Sequence, residues 1–74
     1  MTNKDLFDSL KYQEDGAHYK KMAVQPAYFI NENNLQFAEG NVIKYVCRHK
    51  FKGGEKDIKK AIHYLKMILE RDYN

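Results

Sequence analysis

Residues 39–52 read Glu-Gly-Asn-Val-Ile-Lys-Tyr-Val-Cys-Arg-His-Lys-Phe-Lys, and this pattern predicts one amphipathic helix. At about 100° per residue, its apolar face carries Val42, Ile43, Val46 and Cys47. The other face combines an amide, an aromatic ring and three cations, namely Asn41, Lys44, Tyr45, Arg48 and Lys52. Such a face can bind phosphate, or it can simply be solvated, because charge is costly to bury.

The segments on both sides of this helix predict an all-α fold. Residues 52–55, Lys-Gly-Gly-Glu, are a strong turn signal. The helix predicted after it, over residues 55–72, has apolar residues at helical spacing, which are Ile58, Ala61, Ile62, Leu65, Ile68 and Leu69. Because only two glycines form the hinge, we expect the last two helices, over residues 36–50 and 55–72, to pack as a C-terminal hairpin.

The rest of the chain predicts two shorter helices within a single domain. Pro26 suits the first turn of a helix of about two turns, which Asn33 and Asn34 should end. Residues 1–14 predict an amphipathic N-terminal helix, with Leu6, Phe7 and Leu10 on one side. The remaining part, residues 15–74, is predicted to form the main helical domain, with an irregular segment around residues 17–24.

A chain of 74 residues can build only a small core, so we expect something else to stabilise it. A single cysteine, Cys47, rules out an internal disulfide and suggests a reducing cytosol. The three histidines lack the spacing of a metal site, so we expect no metal and no cofactor. Self-association remains, and we predict a homo-oligomer. No apolar run approaches the roughly 18 residues of a membrane span, which favours a cytoplasmic protein without a membrane partner.

Charge is distributed unevenly along the sequence. Residues 1–16 hold two cations and four carboxylates, a net charge of −2, whereas residues 44–60 hold seven cations and two carboxylates, a net charge of +5. The second half should therefore meet an anionic partner, which could be a small nucleotide, a nucleic acid or an acidic protein.

The residues favour binding chemistry over the common types of nucleotide hydrolysis. The sequence Gly53-Gly54-Glu55-Lys56 does not supply a phosphate-binding P-loop, and the two long helices lack paired carboxylates for magnesium. Cations on the 39–52 helix could neutralise phosphates, while Tyr19 or Tyr45 could stack on a base. Tyr45 and Tyr64 could equally pack at the edge of the core. His18 is a possible proton shuttle or a surface loop histidine.

Several of these residues resemble a family of small bacteriophage proteins. The resemblance covers residues 15–70 and rests on His18-Tyr19-Lys20, Gln25-Pro26, residues 39–46, Arg48, Lys52-Gly53, residues 57–61 and Tyr64-Leu65. That family was long catalogued as a domain of unknown function and is labelled nucleotide-kinase-like, after the deoxynucleoside monophosphate kinase of a T-odd coliphage. The resemblance implies a phage origin, a helical oligomer in the cytoplasm of the infected host, and nucleotide-binding residues at His18, Tyr19, Lys20, Glu39, Asn41, Lys44, Tyr45, Arg48, Lys52 and Asp57.

Three functions are compatible with this resemblance. In the first, a homo-oligomer captures a phosphorylated nucleotide and so sequesters a host antiviral signal. In the second, the chain is a nucleoside monophosphate kinase in which Asp57 or His18 accepts the proton. The third is nucleic-acid binding through the basic hinge, which the modest net charge of +3 and the interspersed carboxylates disfavour.

Overall fold

The structure, a computed structural model, describes residues 22–74, which form three helices and no strand. They are α1 (Pro26–Glu32), α2 (Phe37–Arg48) and α3 (Glu55–Tyr73). The predicted all-α class is confirmed, as are the three helices expected in this part of the chain. The predicted helix of residues 1–14 lies outside the described residues, as do His18, Tyr19 and Lys20.

Two asparagines end α1, as the sequence predicts. The Asn33 side chain donates a hydrogen bond to the Phe29 carbonyl (2.9 Å), and Asn34 adopts the left-handed conformation at φ 53°. The Leu35 N–H then donates to the Ile30 carbonyl (3.1 Å), which is the bond pattern of a Schellman motif. Asparagine is one of the few residues that tolerate this conformation, so the sequence fixes where the chain leaves α1.

A glycine lets α1 approach α2 closely. Gly40 is buried, and a Cβ atom added there would lie 3.0 Å from the Cγ2 atom of Ile30. A larger side chain would push the two helices apart, because packed interiors have little free space. The missing side chain at Gly40 therefore allows the close contact between α1 and α2.

The hairpin between α2 and α3 turns within six residues. The N–H groups of Phe51 and Lys52 both donate to the Arg48 carbonyl, and the Gly54 N–H donates to the His49 carbonyl (2.8 Å). Gly54 precedes α3 at φ 57° and ψ −132°, a backbone conformation that is open to glycine and strained for other L-residues. The predicted turn and hairpin are therefore present, and α3 packs back against α2.

The core between these helices is small. Ala38 and Ala61 are the fully buried hydrophobic residues of the described part of the chain. Larger apolar side chains on the helices stay partly exposed, and Leu65 retains 47% of its accessible surface. None of the helices in residues 22–74 is long and apolar enough to cross a membrane.

We predict that the positive φ angle of Gly54 makes glycine important for the stability of the hairpin. Gly54→Ala should lower the free energy of unfolding by about 1–3 kcal/mol, because an L-residue is strained there while nothing lies within 4 Å of the added methyl group. Denaturant unfolding followed by circular dichroism measures this change.

D-alanine at position 54, introduced by chemical synthesis, is the matched control. It adds the same methyl group but accepts positive φ, so its stability should equal or exceed that of the glycine chain. Equal losses for L- and D-alanine would show that conformation is not the cause.

Candidate functional site

Three cations surround the ring of Tyr45 at the contact between α2 and α3. The guanidinium carbon of Arg48 lies 4.6 Å from the ring centroid, and the Nζ atoms of Lys60 and Lys44 lie at 5.2 and 5.4 Å. These distances are typical of cation–π contacts, in which the electron-rich ring face attracts positive charge. The ring therefore gathers cations from two helices into one patch.

Tyr64 on α3 completes this group. Its ring is stacked nearly parallel to that of Tyr45, with centroids 5.9 Å apart and an interplanar angle of 11°, and Phe37 meets Tyr64 edge-on at 5.7 Å. Both tyrosines are half-buried. We call Lys44, Tyr45, Arg48, Lys60 and Tyr64 the Tyr45 cluster. It presents positive charge beside an aromatic surface, a combination that suits a phosphorylated aromatic molecule.

Arg48 is held in place by a buried carboxylate. Its Nε and Nη2 atoms donate to the two oxygens of Asp57 at 3.1 and 3.2 Å, and the Gly53 N–H donates to the same carboxylate at 2.9 Å. The side chain of Asp57 is only 1% exposed and that of Arg48 15%. The hydrogen bonds from Arg48 are the main reason why the pKa of Asp57 lies below its usual value. Burial acts in the opposite direction, and the hydrogen bond from the Gly53 N–H lowers the pKa further.

This geometry gives Asp57 and Arg48 a structural role. The proposed binding residue Asp57 is enclosed by its hydrogen bonds rather than presented to a ligand. Arg48 directs two of its donors to Asp57, so a bound phosphate would meet the lysines of the Tyr45 cluster more readily than the guanidinium fork.

Glu39 lies away from the Tyr45 cluster, about 9 Å along α2 from Tyr45 at 1.5 Å per residue. Both of its oxygens accept hydrogen bonds from Arg71 near the end of α3. These bonds lower the pKa of Glu39, and Arg71 also contacts Asp72 at 2.8 Å. In this arrangement Glu39 joins the far ends of α2 and α3.

A groove of about 390 Å³ adjoins the Tyr45 cluster and contains two of the predicted binding residues. Asn41 and Lys44 both line it, beside the apolar side chains of Ile30 in α1, Phe37 in α2 and Leu35 in the connection between them. An apolar groove with an amide and an ammonium group at its edge can hold a base or a sugar next to a phosphate.

Lys52, the remaining predicted binding residue among residues 22–74, is exposed in the turn after α2. Cys47, which was not predicted to bind a ligand, lines a second, apolar groove with Ile43 and Phe29. Burial raises the pKa of the Cys47 thiol, which disfavours its reactive thiolate form. Within residues 22–74, no three histidine, cysteine or carboxylate side chains lie close enough together to hold a metal ion.

The sequence predicted that Lys44, Tyr45 and Arg48 share one face of α2, and the structure places the three together. It did not predict that Lys60 belongs to the same group. The signal was available in the hairpin itself. With the turn at residues 53 and 54, residues that face each other have numbers that sum to about 105, as Arg48 and Asp57 do. The same rule places Lys60 opposite Tyr45, where the structure has it.

The chain matches a known protein family. A family model described as a protein of unknown function, DUF3310, matches residues 13–66. This agrees with the resemblance of residues 15–70 to a family of unknown function, while the phage origin and the nucleotide-kinase-like label stay predictions. No curated protein and no solved structure matches the chain.

We predict that Asp57 makes the fold sensitive to acid. Because the pKa of Asp57 is lowered in the folded state, its carboxylate stabilises the fold above the unfolded pKa of about 4, and this contribution is lost as the pH falls through the lower, folded value. Asp57→Asn should cost about 3 kcal/mol at pH 7, since it removes the buried carboxylate that pairs with Arg48. It should also flatten the loss of stability on acidification, which denaturant unfolding at pH 7 and pH 3 measures.

Glu55→Gln is the control, because its ion pair with Lys59 (2.7 Å) is exposed at both ends and should contribute little. If Asp57→Asn kept the acid sensitivity of the unchanged chain, the buried pair would not be its source.

Proposed function

We propose that this chain, which belongs to the DUF3310 family of proteins of unknown function, captures a phosphorylated nucleotide in a homo-oligomer. The ligand binds at the Tyr45 cluster and the groove beside it. If the chain comes from a phage, as its resemblance implies, this capture serves to sequester a host antiviral nucleotide signal.

The observation that carries this proposal is the set of three cations around one tyrosine ring. The side-chain charges of Lys44, Arg48 and Lys60 all lie within 5.4 Å of the centroid of the Tyr45 ring, and Arg48 is paired with Asp57. Positive charges held this close repel one another, so an anion that binds among them relieves the repulsion and gains charge-assisted hydrogen bonds. A phosphate group is the natural anion for such a patch.

The groove next to Lys44 accounts for the rest of the ligand. Lys44 belongs both to the Tyr45 cluster and to the groove, so a phosphate on Lys44 brings the attached sugar and base to Asn41 and Phe37. The amide of Asn41 has both donors and an acceptor, which match the edge of a base or the hydroxyls of a sugar. Phe37 is 72% exposed and offers a ring face for stacking.

The state of Asp57 argues against its role as the proton acceptor of a kinase. Asp57 and His18 were the two residues considered for that role. Its carboxylate is enclosed, bonded to Arg48 and held below its usual pKa, all of which make it a weak and inaccessible base.

We predict that Lys44→Gln and Lys60→Gln each weaken nucleotide binding by about 10- to 100-fold, the range expected for the loss of one charged hydrogen bond. Isothermal titration calorimetry of the full chain against nucleoside mono- and triphosphates and cyclic nucleotides measures the affinities. Chromatography of the ligand released by heat then shows whether it is unchanged.

Lys66→Gln is the matched control, because Lys66 is an exposed lysine of α3 that makes no contact with Tyr45 in the described structure. Binding that is lost equally in all three variants would reflect net charge alone and would contradict the proposed site. Conversion of a monophosphate to a diphosphate would replace capture by the kinase function, and binding to duplexes with a steep salt dependence would point to nucleic acid.

A further inference from the structure

The groove beside the Tyr45 cluster carries two carboxamide residues in addition to Asn41. They are Asn31 in α1 and Gln36, the residue directly before α2, and both are exposed. Within residues 22–74, the side chains of these three residues make no hydrogen bond to another residue. Their donors and acceptors are therefore available to a ligand.

The groove residues of α2 follow the order in which the parts of a nucleotide are joined. Counted from Lys44 toward the start of the helix, Asn41 lies about 4.5 Å and Phe37 about 10.5 Å away, at 1.5 Å per residue. Gln36 directly precedes Phe37. A ligand whose phosphate binds Lys44 therefore meets one amide at the level of its sugar. It meets an aromatic ring and further amides at the level of its base.

We propose that the far end of this groove, formed by Asn31, Gln36 and Phe37, recognises the base of the ligand, and that the ligand is a purine nucleotide. This inference rests on the proposed function, because it requires a phosphate at the Tyr45 cluster. It adds the class of the base and two residues that select it, Asn31 and Gln36.

The size of a purine suits the far end of the groove. Its two fused rings extend further from the sugar than the single ring of a pyrimidine, so they reach further from Lys44 along the groove. They also offer a larger face to Phe37, whose ring is 72% exposed. A pyrimidine on the same sugar would cover less of this ring and would end before the amides.

The edge of a purine also offers more hydrogen-bonding groups. Beside the five-membered ring, adenine presents the N7 acceptor and an amino donor, and guanine presents N7 and a carbonyl acceptor, whereas each pyrimidine presents one such group there. A carboxamide has both donors and an acceptor, so the amides of Asn31 and Gln36 can match either purine. Both amides are exposed, so each bond to the base replaces a bond to water and should change affinity only about 3- to 10-fold.

Isothermal titration calorimetry of the full chain tests the choice of base. The ligands are the adenine, guanine, cytosine and uracil ribonucleotides, each as the 5′-monophosphate, the 5′-triphosphate and the 3′,5′-cyclic phosphate, and the comparison is made within each phosphate form. Both purine nucleotides should bind about 10-fold or more tightly than both pyrimidine nucleotides. Equal affinities would overturn this inference and leave nucleotide capture intact, whereas no binding of any form would contradict the proposed function as well.

Variants of the two amides test the residues that select the base. Asn31→Leu and Gln36→Leu should each weaken purine nucleotides about 3- to 10-fold and leave pyrimidine nucleotides unchanged, which lowers the ratio of the two affinities. Gln36→Asn keeps a carboxamide and should retain most of this ratio. Glu32→Leu, at the next position of α1 and outside the groove lining, is the control and should leave the ratio unchanged. Equal losses for purines and pyrimidines in the leucine variants would overturn the role of these amides.

Discussion

The buried ion pair between Arg48 and Asp57 is the constraint on which the hairpin depends. One carboxylate accepts three hydrogen bonds, two from the last residue of α2 and one from the backbone of the turn. It thereby joins the end of one helix, the glycine hinge and the first turn of the next helix at a single point. Breaking such a pair costs more than forming it contributes, because the remaining charge is left without a partner. The pair therefore specifies where α3 begins and how it is aligned with α2.

That alignment also creates the Tyr45 cluster. Arg48 lies opposite Asp57. Tyr45, about one turn earlier in α2, therefore lies opposite Lys60, about one turn later in α3. The guanidinium of Arg48 belongs both to the ion pair of the hairpin and to the Tyr45 cluster. The carboxylate of Asp57 fixes its position, and its carbon atom lies 4.6 Å from the centroid of the Tyr45 ring. A substitution of Arg48 would disturb the fold and the patch together. Lys44 and Lys60 can be changed without removing the ion pair between Arg48 and Asp57.

The sequence predicted the helices and the turn because their signals are local. Helical spacing, the proline at the start of α1, the asparagines at its end and the two glycines each act over a few residues. The role of Asp57 was harder to predict, because an acidic residue in the first turn of a helix is usually explained by the helix dipole and stays exposed. Its burial results from a contact with a residue nine positions earlier. The pairing of Glu39 with Arg71, 32 positions apart, has no local signal at all.

The helical geometry of α3 separates the Tyr45 cluster from the exposed apolar side chains of the same helix. Relative to Ala61, which faces α2, Lys60 lies about 100° to one side and Ile62 about 100° to the other. Lys60 of the Tyr45 cluster and Ile62, which is 46% exposed, are consequently about 160° apart around the same helix, on nearly opposite sides. A substitution at Ile62 can therefore change the exposed apolar side of α3 without reaching the cations around Tyr45.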